Sequence, residues 1–86
     1  MKKYFFIKDL YGRSISFDYH LTMTVRDVMY EVSRKIGIPV LHQRIVFAGR
    51  EITEWHYQGK TLINLGIRHN SCLSLVVRLP AGKIDL

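Results

Sequence analysis

The stretch Gly37–Glu51, GIPVLHQRIVFAGRE, runs from the end of a helix into a sheet. Gly37 favours the left-handed backbone that ends a helix. Pro39 then blocks continuation, because its ring fixes φ and removes the N–H. RIVF, residues 44–47, reads as a strand in which Ile45 and Phe47 point one way and Val46 the other. AGR turns the chain, and REI reads as a very short strand leading away.

Upstream of Gly37, Val25, Val28, Met29, Val32 and Ile36 recur at steps of three and four, which makes one apolar stripe on a helix. Thr24 stands at the N-cap and Asp27 completes a capping-box pair. Arg34 and Lys35 suit the negative end of the helix dipole. Before the helix lie two alternating runs. KYFFIKD sends Phe5 and Ile7 to one face and Tyr4, Phe6 and Lys8 to the other. SISFDY aligns Ile15, Phe17 and Tyr19. The Gly12-bearing turn between them predicts a β-hairpin.

Downstream, TEWHYQGKT reads as a loop and LINLGI as a single turn. CLSLVVRL is the last strand, with Leu73, Leu75 and Val77 on one face and Ser74, Val76 and Arg78 on the other. Cys72, at its start, is expected to be half buried and to serve packing. PAGKIDL reads as a flexible tail. The order ββαβββ predicts an α+β fold, a mixed sheet with one helix packed across it. Residues 1–79 form a single domain and residues 80–86 a tail.

Composition narrows the function. The 86 residues, 48% of them hydrophobic, fit one small domain with one core. No apolar run is long enough to span a membrane, and YFFI after MKK is too short for a signal peptide. One cysteine excludes an internal disulfide, so cytoplasm or nucleus is the expected location. The net charge of +6 favours acidic partners, but the basic residues form no cluster and no recognised nucleic-acid motif is present. His20, His42, His56 and His69 fall on different elements. No catalytic set, metal-ligand spacing or cofactor motif can be picked out, so a non-enzyme without cofactors is expected.

Gly37-Ile38-Pro39, Gln43-Arg44, Phe47-Ala48-Gly49, Thr61-Leu62 and the run Leu73 to Leu79, together with the opening hairpin, resemble ubiquitin. The resemblance covers Tyr4 to Gly82 and implies the ubiquitin-like β-grasp fold. It also implies a partner-binding patch at Leu10, Val46 and Val76, rimmed by Arg44, Arg50 and Arg78, with Gly49 exposing backbone beside it. Ser74 stands where the family's patch has a histidine. Tyr4 and Phe6, with Thr22 near them, are candidates for a second docking surface. About four extra residues at WHYQ make Trp55 and Tyr57 further candidates; the alternative for Trp55 is that its ring folds back over the core.

Three functions follow as expectations. The first is a monomeric protein-interaction module for ubiquitin-binding domains or proteasome-type receptors. The second is a covalent modifier matured at Gly82 and handled by activating and conjugating enzymes. For that role Ala81 and Pro80 replace residues of the family's tail, and Lys83 to Leu86 must be removed. Arg50 and His69 stand at the main acceptor-lysine positions, Arg13, Met29 and Glu31 at three others, and only Lys8 and Lys35 keep an amine. The third is a basic adaptor for RNA or an acidic protein.

Overall fold

The computed structural model describes residues 2–53 and 56–77. Strands β1 (Tyr4–Lys8) and β2 (Ser14–Asp18) form the hairpin, followed by helix α1 (Val25–Ile36). Strands β3 (Gln43–Phe47), β4 (Arg50–Ile52) and β5 (Cys72–Val77) complete one sheet in the order β2-β1-β5-β3-β4. β1 and β5 run parallel, and the other pairs are antiparallel. The predicted β-grasp arrangement is the observed one.

The helix forms where local chemistry favours it. Asp27 N–H donates to Thr24 Oγ1 at 3.3 Å, and Thr24 N–H donates to the Asp27 carboxylate at 3.0 Å, so the capping box is closed. Such a cap contributes about 0.5–2 kcal/mol. At the other end Gly37 adopts φ 86°, and its N–H donates to Ser33 O at 2.9 Å. The apolar stripe buries Val25, Val28, Met29 and Val32 against the sheet. Ile36 is half-buried at the stripe's end.

The sheet contributes Phe5, Ile7, Phe17, Ile45, Ile52, Leu73 and Leu75 to the same core, all buried. Each such burial is worth roughly 1.5–3 kcal/mol. Gln43 is the polar exception. Its amide Nε2 donates to Met29 O at 2.9 Å and Ile38 O at 2.8 Å, so it joins the helix to the segment that leaves it. A short 3-10 turn at Val40–His42, absent from the sequence expectation, sits between Pro39 and β3. The single turn expected in LINLGI is the 3-10 turn Ile63–Leu65.

With one face covered by α1, the other is free. Along β1, β3 and β5 the residues alternate, so the open face carries Tyr4, Phe6, Lys8, Arg44, Val46, Cys72, Ser74 and Val76. Among the described residues, no helix is long and apolar enough to cross a membrane.

Candidate interaction face and family

β5 is the middle strand of the open face. Ser74 pairs with Lys8 on one side and Val46 on the other. Val46 in turn faces Glu51 of β4. Val76 lies two residues beyond Ser74 and pairs with Arg44, which makes Val46 and Val76 diagonal neighbours, about 7–8 Å apart for such a pair. Val76 is 44% exposed, and Val46 is half-buried between its neighbours.

Leu10 is 53% exposed in the β1–β2 turn. Because Lys8 pairs with Ser74, this turn begins at the level where β5 continues to Leu75 and Val76. The turn is built around Asp9, a buried carboxylate. It accepts from the N–H groups of Tyr11 and Arg13, both at 2.9 Å, and from Arg13 Nε at 2.9 Å. Burial alone would raise the Asp9 pKa. The hydrogen bonds from Arg13 and Tyr11 and the Arg13 charge outweigh it and hold the carboxyl below its ordinary value of 3.8. Sequence reasoning missed Asp9, although an Asp beginning a turn and standing four residues before an Arg is a readable signal.

The rim departs from the basic ring expected around Val46. Arg44 donates to Glu51 Oε1 from Nη2 at 2.7 Å and from Nε at 3.2 Å. The hydrogen bond and charge of Glu51 hold the Arg44 guanidinium above its ordinary value. The rim beside Val46 is therefore an ion pair, because the strand register places an acid opposite Val46. Arg50 is exposed at the head of β4, opposite Phe47. Ala48 and Gly49 form the turn, with φ 53° and 77°. Positive φ at both central residues matches the twist of a tight hairpin and explains glycine at position 49.

Other expected positions divide. Tyr4 is partly exposed and Phe6 half-buried, their rings edge to face at 5.4 Å. Thr22 lies in the wall of a separate groove between β2 and α1. Tyr57 is half-buried and packs against the edge of the core. The reason is local: its N–H donates to Thr53 O and its carbonyl accepts from Lys60 N–H, which folds the loop inward. Cys72 corrects the expectation of half burial. It is exposed, pairs with Phe6, and keeps step with Ser74 and Val76 on the open face. Trp55, Arg78 and Gly82 lie outside the described residues.

Residues 5–80 match the ubiquitin family. The chain belongs to that family. Within it, the chain is 30% identical to "NEDD8-like protein RUB3" of Arabidopsis thaliana over 76 residues, covering 88% of this chain and 92% of that protein. It is 35% identical to "Ubiquitin-like protein 4A" of Homo sapiens over 80 residues, covering 93% of this chain and 48% of that protein. The same identity relates it to the Rhinolophus ferrumequinum protein of that name, of which 47% is covered. The chain thus spans about half the length of the Ubiquitin-like protein 4A relatives. Arg50 and His69, expected at the family's main acceptor positions, carry no lysine amine. Of the two lysines expected at acceptor positions, Lys35 uses its Nζ to donate to Ser16 O, and Lys8 stands on the open face.

Proposed function

We propose that this chain is a non-enzymatic interaction module of the ubiquitin pathway, working as a monomer in the cytoplasm or nucleus. Leu10, Val46 and Val76 form its apolar contact, and ubiquitin-binding helices or proteasome-type receptors are its partners. The observation that carries the reading is the exposure of Val76 beside Val46 on the sheet face that α1 leaves free, with Leu10 exposed in the β1–β2 turn. An apolar centre with a charged edge is the usual anatomy of a protein-binding patch. Arg44, Arg50, Gly49 and Arg78 supply the edge in this reading.

The test is binding to an immobilised ubiquitin-interacting helix, comparing the native chain with Val46→Glu. A buried carboxylate at the centre of the contact should abolish retention. Binding through phosphate contacts, as in the RNA-adaptor reading, would instead survive Val46→Glu and fall steeply with salt.

A second reading is supported by the match to a NEDD8-like protein across 92% of that relative. In it the chain is a covalent modifier matured at Gly82, with activating and conjugating enzymes as partners. The intact mass of an N-terminally tagged chain from eukaryotic cells, beside Gly82→Ala, decides between the two. A product ending at Gly82 with adducts that vanish in the variant supports the modifier. A chain still ending at Leu86, without adducts, removes it.

A further inference from the structure

At the end of β1 remote from Leu10 the surface changes character. Lys3, Tyr19, Leu21, Ile63, Arg68 and His69 line an open groove of about 510 Å³. Leu10 and Lys3 lie on opposite sides of a five-residue strand, so the two regions are about 20 Å apart.

Three features of this groove belong together. First, its charge has one sign. Among the described residues no carboxylate lines it, and Lys3 and Arg68 have no ion-pair partner. Elsewhere on the surface, ion pairs engage Lys2, Arg13, Arg34 and Arg44. The groove between β2 and α1 is the contrast: it is lined by Asp18, Asp27 and Glu31, and each is already engaged, by Lys2, the Thr24 N–H and Arg34.

Second, the groove is also apolar. Leu21 is 60% and Ile63 46% exposed. Leu62 N–H donates to Met23 O at 2.8 Å, which joins the turn carrying Leu21 to the turn carrying Ile63.

Third, the cationic wall is held in place. Tyr19 N–H donates to Lys3 O at 2.9 Å, and Tyr19 Oη donates to Ile67 O at 2.9 Å beneath the groove. Tyr4 N–H donates to His69 Nδ1 at 3.1 Å, and the two rings meet edge to face at 4.5 Å. Nδ1 is thereby an acceptor, so the neutral ring carries its proton on Nε2 and offers a donor there. Arg68 N–H donates to Ser71 Oγ at 2.8 Å, fixing the turn that bears the guanidinium.

We propose that this groove is a second docking site, separate from the Leu10–Val46–Val76 patch, and that its occupant is an acidic peptide segment carrying aliphatic side chains. Lys3, Arg68 and the His69 Nε2–H receive the carboxylates, and Leu21 and Ile63 receive the aliphatic groups. Charge complementarity selects an anion. The exposed aliphatic pair selects a peptide over a nucleic acid, whose bases stack on flat aromatic or guanidinium faces.

The experiment is fluorescence anisotropy of the full chain with a fluorescein-labelled peptide of repeated Glu-Leu-Asp-Ile. Matched titrations use the same peptide with serine at every Leu and Ile, and a labelled oligouridine. Saturable binding is expected, weakened about tenfold or more by Arg68→Glu and by Leu21→Ser with Ile63→Ser, and unchanged by Val46→Glu. Arg68, Leu21 and Ile63 are exposed and Val46 is half-buried, so the amide spectrum of each variant is recorded first to check that it folds. Amide shifts on peptide addition should centre on residues 3, 21, 63, 68 and 69. Absence of binding, equal affinity for the serine peptide, tighter binding of oligouridine, or indifference to Arg68→Glu would each overturn the proposal. So would loss of binding in Val46→Glu, which would assign the peptide to the other patch.

Discussion

Val46 and Ser74 face each other across β3 and β5, and the same row continues to Lys8 on one side and Glu51 on the other. This row runs through the candidate patch: one half-buried valine lies between a small hydroxyl and a carboxylate. A partner approaching Val46 therefore meets the small side chain of Ser74, and meets the Arg44–Glu51 pair in place of an unpaired cation.

The ion pair makes a prediction. Glu51→Gln removes the counter-charge of Arg44 and leaves the patch edge more basic. Affinity for a partner with an acidic rim should rise, and its salt dependence should steepen. Stability should change by less than about 1 kcal/mol, since both side chains are partly exposed. Calorimetric titrations at low and high salt read the first effect, and urea unfolding the second.

Asp9 makes the turn around Leu10 sensitive to acid. Its folded-state pKa lies below the ordinary 3.8, so its stabilising effect is complete above that value and is lost as pH falls through the folded value. Asp9→Asn should lower the melting temperature at neutral pH. The gap to the native chain should narrow as pH drops below 3.8. A gap that stays constant across this range would contradict the account.

Gln43 joins helix to sheet through a buried hydrogen bond to Met29 O and a partly buried one to Ile38 O. Gln43→Ala takes a donor from the carbonyls of Met29 and Ile38, and the expected cost is about 1–3 kcal/mol by urea unfolding. Gln43→Glu should be worse, because a carboxylate cannot donate to either carbonyl.

The helix cap is a smaller and separable contribution. Thr24→Ala removes the acceptor for Asp27 N–H and should cost about 1 kcal/mol, whereas Thr24→Ser should cost little. Thermal unfolding of the two variants provides the comparison.

Much of the architecture was legible because it follows from local periodicity. The alternation in β1 and β5, the stripe on α1, the Thr24–Asp27 box and the stop at Gly37 all depend on residues within a few positions of one another. The apolar members of the candidate patch were legible through the family's motifs and the outward step of Val46. What could not be read depends on register between distant strands. Glu51 meets Arg44 only because β3 and β4 pair as they do. Tyr57 turns inward because its loop closes on Thr53 and Lys60. Cys72 was expected half buried, although the alternation that exposes Ser74 and Val76 also exposes it. The basic groove draws on Lys3, Leu21, Ile63 and Arg68, which four separate segments bring together.

The most direct test of the central claim is a titration of the isotopically labelled chain with a ubiquitin-interacting helix, followed by amide shifts in the native chain and in Val46→Glu. The account predicts shifts concentrated at Leu10, Arg44, Val46, Gly49, Ser74 and Val76, all lost in the variant while its spectrum remains that of a folded chain. Shifts confined to α1, or a titration that Val46→Glu leaves unchanged, would contradict it.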